Sequence, residues 1–202
     1  MSCNINVFVV RQFTLLATIC LTAIASGMQI SFPSVLNPAI IGPNSTVKAT
    51  TEEASWIAAS LGFGGLISYT FIPVVFDAFG RKMAILITNL MMIVGSLIFC
   101  VANDVYIMSL ARFVQGLAYG GAFACVITLS ECVPPKRRGY FMVINKVSVA
   151  FGSLVCHALG LVLNWRQIAV SGAIPNGLST ILLIIIGESP SFFANKAQFE
   201  KC

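Results

Sequence analysis

The sequence is 202 residues long, 57% hydrophobic and 9% charged, with a mean hydropathy of +0.91. A soluble domain carries about 25% charged residues, so this composition excludes a soluble globule and calls for a lipid bilayer as solvent. The net charge of +5 is no nucleic-acid footprint, because the basic residues sit in small groups between apolar runs, where they orient helices in the bilayer.

A spanning helix needs about 20 mostly apolar residues. Six windows qualify: Phe13–Phe32, Ser55–Phe76, Met83–Ala102, Val105–Leu129, Phe141–Leu163 and Ile168–Ile186. The first is too long for the core of a signal peptide. Transmembrane strands would be half as long and would alternate in polarity, which these runs do not. The predicted fold class is all-α, a polytopic membrane protein with six transmembrane helices. Residues 13–186 form the bundle, 1–12 a cytosolic N-terminus and 187–202 the start of a cytosolic linker.

The first span leads into an outer loop, Pro33–Glu53, holding Pro33, Pro38 and Pro43. Asn37-Pro38-Ala39 looks like one box of a water channel, but such a channel needs two, and the sequence has no second. Asn44-Ser45-Thr46 is the one glycosylation sequon, so Asn44 is an expected acceptor. The second span is rich in small residues: Ala58, Ala59, Gly62, Gly64 and Gly65. It ends in the turn Phe76-Asp77-Ala78-Phe79-Gly80-Arg81-Lys82. The fourth span places Gly116, Gly120 and Ala124 at i, i+4 and i+8, a flat face that lets helices approach closely. Pro175 near the middle of the sixth span predicts a kink there.

Charge fixes the orientation. With the N-terminus cytosolic, the inside segments hold 8 basic residues (Arg11, Arg81, Lys82, Lys136, Arg137, Arg138, Lys196, Lys201) and the outside segments 2 (Lys48, Arg166). The excess of Lys and Arg marks the cytosolic side, so both termini are expected inside; the plasma membrane is the expected location.

Two cations fall within spans. Arg112 lies about two turns from the outer end of the fourth span and needs a polar partner, an aqueous cavity or a path to the surface. Lys146, beside Asn145, lies early in the fifth span. It either snorkels to the interface or lines a polar cavity. Glu131 ends the fourth span, where an anion opposes the helix macrodipole. It is expected to pair with Arg137, Arg138 or Arg81. His157, the one histidine, reads as a packing residue or a polar interhelical contact, with a proton or substrate role as the alternative. The seven cysteines form no CxxC pair or Cys/His cluster, so neither a disulfide framework nor a metal site is expected. No cofactor and no enzymatic constellation is expected, since the histidine has no nucleophile or carboxylate at motif spacing.

Taken together, these residues resemble the sugar porter family of the major facilitator superfamily. The turn Asp77-Ala78-Phe79-Gly80-Arg81-Lys82 is similar to the superfamily's signature between helices 2 and 3. Arg112-Phe113-Val114-Gln115-Gly116 resembles the family's helix 4. Glu131 with Arg138-Gly139, and Glu188-Ser189-Pro190, match its later motifs. Glu52-Glu53-Ala54-Ser55-Trp56 looks most like the facilitated trehalose and glucose transporters. Pro73 and Ala78 depart from the turn pattern, and the stretch from Arg112 to Glu131 reads one residue short. The resemblance implies the N-terminal six-helix half of a 3+3 repeat fold, with the second half absent. It implies that Asp77, Gly80, Arg81, Lys82, Arg112, Glu131, Arg138 and Glu188 belong to a gating charge network. Gln29, Asn145 and Lys146 are candidate sugar contacts. The first span holds no Asp or Glu, whereas proton-coupled relatives place an acid there, so facilitative uniport is implied. The implied partners are a sugar, the lipid bilayer, and a second transporter half or a full-length transporter. A non-transporting relative that binds or regulates a full-length transporter stays open as the alternative.

Overall fold

The structure is a computed structural model. It describes residues 5–42, 47–133 and 135–185, with side chains from Phe13 onward except residues 131 and 132. The described chain is helical: α1 (Ile5–Ile41), α2 (Thr51–Phe79), α3 (Arg81–Val101), α4 (Val105–Leu117), α5 (Gly120–Cys132), α6 (Arg138–Gly160), α7 (Trp165–Ser171) and α8 (Ala173–Ile185), with a short 3-10 turn at Pro135–Arg137. Six stretches are long and apolar enough to cross a membrane: Phe13–Ile41, Thr51–Phe79, Arg81–Val101, Val105–Ser130, Pro135–Gly160 and Trp165–Ile185. Each overlaps one window read from the sequence.

The boundaries differ in three places, each for a physical reason. First, the loop after the first span does not begin at Pro33. Helix α1 continues through Pro33 and Pro38 to Ile41. Each proline forfeits one backbone hydrogen bond, but Phe32, Leu36 and Ile40 keep a four-residue spacing into the core beside Ile57, Phe99 and Met108. That packing holds the helix against its prolines. The connection to α2 is closed by the Ala49 N–H, which donates to the Ile40 carbonyl at 3.3 Å. Helix α2 then starts on a capping box: the Glu53 N–H donates to Thr50 Oγ1 at 3.2 Å, and the Thr50 N–H donates to Glu53 Oε2 at 2.8 Å.

Second, the fourth span is two helices, broken at Ala118–Tyr119. Ser68 of α2 enters the break. It accepts from the Gly120 N–H at 2.9 Å and donates to the Leu117 carbonyl. A buried break needs such a partner for its freed backbone groups. Third, the sixth span breaks at Gly172 rather than at Pro175. Pro175 is the third residue of α8, inside the first turn, where its missing N–H had no intrahelical acceptor.

Helix α1 packs chiefly on α6 and α2 on α4, while α3 lies against α4 and α8. The first two crossings are backbone to backbone. A Cβ at Gly27 would strike the Val149 carbonyl, and one at Gly152 the Ile24 carbonyl. A Cβ at Gly64 would meet the backbone of Phe113 and Gly116, and one at Gly116 that of Leu61 and Gly64. Small-residue crossings of this kind associate helices by close packing where lipid supplies no hydrophobic drive.

Candidate functional site

The bundle encloses a polar seam between α1, α3, α4 and α8. Its origin lies in α1, where Thr18, Thr22, Ser26 and Gln29 recur every three or four residues and so share one face. All four are buried. The threonines and Ser26 each donate to the carbonyl four residues back, at 2.8 to 3.1 Å. This satisfies the hydroxyls inside their own helix and leaves their oxygens to accept from neighbours.

The seam has two nodes. In the node nearer the α2–α3 turn, Ser179 of α8 sits 2.8 Å from Thr22 Oγ1, accepts from Asn89 Nδ2 at 3.0 Å, and donates to the Thr18 carbonyl at 3.2 Å. In the node nearer the α3–α4 connection, Ser96 Oγ of α3 accepts from Gln29 Nε2 at 3.3 Å and from Gln115 Nε2 at 3.5 Å. Arg112 completes this node. Its Nη1 donates to the Gln29 carbonyl at 3.1 Å and to Gln115 Oε1 at 3.3 Å. Its guanidinium lies over the rings of Phe32, at 4.8 Å, and Phe99, at 5.7 Å. The side chain is 0% exposed. Nε and Nη2 have no hydrogen-bond partner, so of the five N–H donors of a guanidinium three are unmatched.

The turn between α2 and α3 is a separate feature. Gly80 has φ 88°, the one positive value among the described residues. Its N–H donates to the Phe76 carbonyl at 3.1 Å, and the Arg81 guanidinium lies 4.8 Å over the Phe76 ring. Arg81 and Lys82 are half-buried at the start of α3, while Asp77 and Arg138 are exposed.

The structure therefore divides the residues singled out from the sequence. Arg112 does not join the turn. It packs on Phe99, which lies 18 residues along α3 from Arg81, or about 27 Å at the α-helical rise. Gln29 is brought to Arg112, as one of its two hydrogen-bond partners. Asn145 is buried in α6, and Lys146 beside it is exposed. His157 is exposed on the same face of α6 rather than packed. The Glu131 side chain, Glu188 and Asn44 lie outside the described residues.

Ser96, Gln115, Asn89, Thr22 and Ser179 carry the seam without having been singled out for it. The available signal was their chemistry, since amides and hydroxyls in the middle of apolar spans must find partners in the bundle. At the C-terminal end of α3, Arg166 plays an unforeseen part. Its Nη2 donates to the Ala102 carbonyl at 3.1 Å and to Asn103 Oδ1 at 2.7 Å. This places a cation on the C-terminus of α3, where the macrodipole favours it.

Comparison with known proteins agrees with this architecture. A family model described as "Sugar (and other) transporter" matches residues 9–202. Mouse facilitated glucose transporter member 6 of solute carrier family 2 is 31% identical over 150 residues, covering 74% of this chain and 30% of that protein. Facilitated trehalose transporter Tret1 of Polypedilum vanderplanki is 27% identical over 180 residues, covering 86% of this chain and 36% of that protein. The chain thus spans about a third of the length of these relatives. The inward-open, partially occluded xylose transporter XylE of E. coli superposes with a TM-score of 0.78 at 17% identity, over 94% of this chain and 51% of XylE. The chain belongs to the sugar transporter family and has the all-α fold of an N-terminal half of the major facilitator superfamily.

Proposed function

We propose that this chain is the N-terminal half of a facilitative carrier that moves a sugar of the glucose or trehalose kind by alternating access. One observation carries the reading: away from the helix ends, the spans hold no carboxylate, and the buried Arg112 is met by neutral acceptors, the Gln29 carbonyl and Gln115 Oε1. A proton-coupled cycle needs a group that takes up and releases a proton within the bilayer, a role that carboxylates serve in pumps and transporters, and the one histidine, His157, stands in the last turn of α6. The seam supports the reading in a second way. Its donors tie α1, α3, α4 and α8 together, which suits a half that rocks as one body against another.

In this reading, Gln29, Asn145 and Lys146 contact the sugar. Asp77, Gly80, Arg81 and Lys82, with Glu131, Arg138 and Glu188, form the cytosolic latch. Arg112 braces the outer half of α1 against α4. The N-terminus and the segment after α8 are cytosolic, the membrane is the plasma membrane, and Asn44 is glycosylated on the outside. The working partner is a second six-helix unit.

The test is sugar uptake into liposomes by the chain alone and by the chain extended with a second half. The expected result is flux to equilibrium with the extended protein, unaltered by an imposed pH gradient. Uphill accumulation driven by that gradient would overturn uniport. Absence of flux, combined with reduced flux when the chain is co-reconstituted with a full-length transporter, would establish the regulatory alternative.

A further inference from the structure

The hydrogen bonds at the break in the fourth span can be made in two ways. Around Ala118 and Tyr119 the main chain bonds three residues back instead of four. The Ala118 N–H donates to the Gln115 carbonyl at 3.1 Å, Tyr119 to Gly116 at 2.8 Å, Gly121 to Ala118 at 3.0 Å and Ala122 to Tyr119 at 3.1 Å. A tightened stretch inside a long helix often marks a hinge or strain. In an unbroken helix the Gly120 N–H would donate to the Gly116 carbonyl, and the Leu117 carbonyl would accept from the Gly121 N–H. Here the Gly120 N–H and the Leu117 carbonyl both go to one atom, Oγ of the buried Ser68. Closing the helix returns them to the ladder. It also frees the Ser68 hydroxyl to donate to its own Gly64 carbonyl, the four-back bond that Thr18, Thr22 and Ser26 make in α1. The two arrangements hold the same number of hydrogen bonds, so polar satisfaction alone does not decide between them.

The pieces on either side of the break are held differently. Helix α4 is fixed by directional bonds and a closed crossing: Arg112 donates to the Gln29 carbonyl of α1, Gln115 to Ser96 of α3, and Gly116 meets Gly64 of α2 backbone to backbone. Helix α5 is packed by apolar contacts, with Ala124 in one cluster with Ile72 and Val75, and Leu129 in another with Ile19 and Ile85. Its hydroxyls Thr128 and Ser130 bond to carbonyls of their own helix. Each residue that passes from the tight turn to the α-helical one unwinds α5 by about 20° and shortens it by about 0.5 Å. Apolar packing is non-directional and can re-seat through such a change.

We propose that Ser68 is the pin of a two-state joint in the fourth span: α4 stays fixed to α1, α2 and α3, and α5 re-angles when Ser68 hands its two main-chain partners back to the helix. The joint is a property of the bundle and needs no sugar, so it stands apart from the transport reading above.

The test is methyl NMR of the whole gene product in lipid nanodiscs, labelled at the isoleucine δ1 position. Ile127 reports on α5 and Ile107 on α4, so the native sequence carries both probes. Saturation-transfer spectra detect exchange with minor states on the slow timescale of such rearrangements. The expected parent shows Ile127 exchanging with a closed-helix state populated at roughly 1–10%, and Ile107 in one state. Ser68→Ala removes both bonds of the broken form and raises the closed state roughly tenfold relative to the broken one, the scale of a net hydrogen bond. Ser68→Thr keeps the hydroxyl and the parent ratio. A single state at Ile127 in the parent overturns the joint. So does the same exchange at Ile107, which makes the motion global, or a ratio unmoved by Ser68→Ala, which leaves Ser68 a static contact. The parent comparison of Ile127 with Ile107 decides even where Ser68→Ala does not fold.

Discussion

Gly64 of α2 and Gly116 of α4 face each other so closely that a Cβ on either would strike backbone of the other helix. The two helices meet main chain to main chain there, and Ser68, one turn further along α2, bonds across the α4–α5 break. The crossing and the break are one joint. Dispersion and short polar contacts hold it, because lipid offers no hydrophobic gain to bring helices together.

Gly116→Val forces the crossing apart. Overpacking a close contact costs about 1–3 kcal/mol, and here the clash is with the Leu61 carbonyl and the Gly64 Cα rather than with a movable side-chain end. The variant is expected to show a lower thermal midpoint in detergent and a lower monodisperse yield. Gly62→Ala, two residues from Gly64 on a side where nothing lies within 4 Å, should match the parent. Equal midpoints for Gly116→Val and Gly62→Ala would show that the close crossing is not present in the folded protein.

The capping box at the head of α2 yields a smaller, local effect. Thr50 and Glu53 satisfy each other's backbone donors at 3.2 and 2.8 Å. Replacing an N-cap threonine by alanine costs about 1 kcal/mol. Thr50→Ala should therefore speed amide hydrogen exchange in the first turn of α2, at Glu52 to Ser55, while exchange in α3 stays as it was. Uniform acceleration through both helices would mean that the loss is global and the box is not an isolated cap.

The sequence carried the fold through the crudest of its signals. Apolar length marked all six spans, and the small residues Gly116, Gly120 and Ala124 marked the face that meets α2. The helix ends were less legible, because tertiary packing decides them. Phe32, Leu36 and Ile40 hold α1 together past two prolines, and no local rule weighs that packing against the prolines. The break at Ala118 depends on a partner elsewhere, Ser68, which lies 52 residues from Gly120. The seam was half-legible. Gln29 and Arg112 stood out as polar groups in apolar runs, but that Arg112 belongs with Gln29, Phe32 and Phe99, far from the Arg81 turn, is a statement about helix register in three dimensions.

Gly80 gives a test in which backbone conformation and side-chain chemistry separate. Its φ of 88° with ψ of 173° lies in a region open essentially to glycine alone and costs other residues roughly 1–3 kcal/mol. Gly80→Ala should lower the thermal midpoint, and Gly80→Asn should lower it as much, because asparagine tolerates positive φ in the left-handed helical region and not at this ψ. A midpoint for Gly80→Ala equal to the parent's would show that the turn does not hold this backbone conformation.

Arg112 offers the sharpest contrast, because conservative and radical replacements are expected in reversed order. Arg112→Lys keeps a buried charge but loses the fork that reaches the Gln29 carbonyl and Gln115 Oε1 together, and with it the planar group lying over Phe32. Arg112→Met removes both bonds, yet it also removes the charge and the three unmatched donors, each of which costs about 1–3 kcal/mol while buried. An apolar side chain of similar length in place of a buried ion is often neutral or stabilising. The expected order of thermal midpoints is therefore Met close to the parent, within about 1 kcal/mol, and Lys below both by about 1–3 kcal/mol. If Lys matches the parent and Met unfolds, the cation itself holds the Ser96–Gln115 node together, and the unmatched donors must then find acceptors in the membrane-embedded protein.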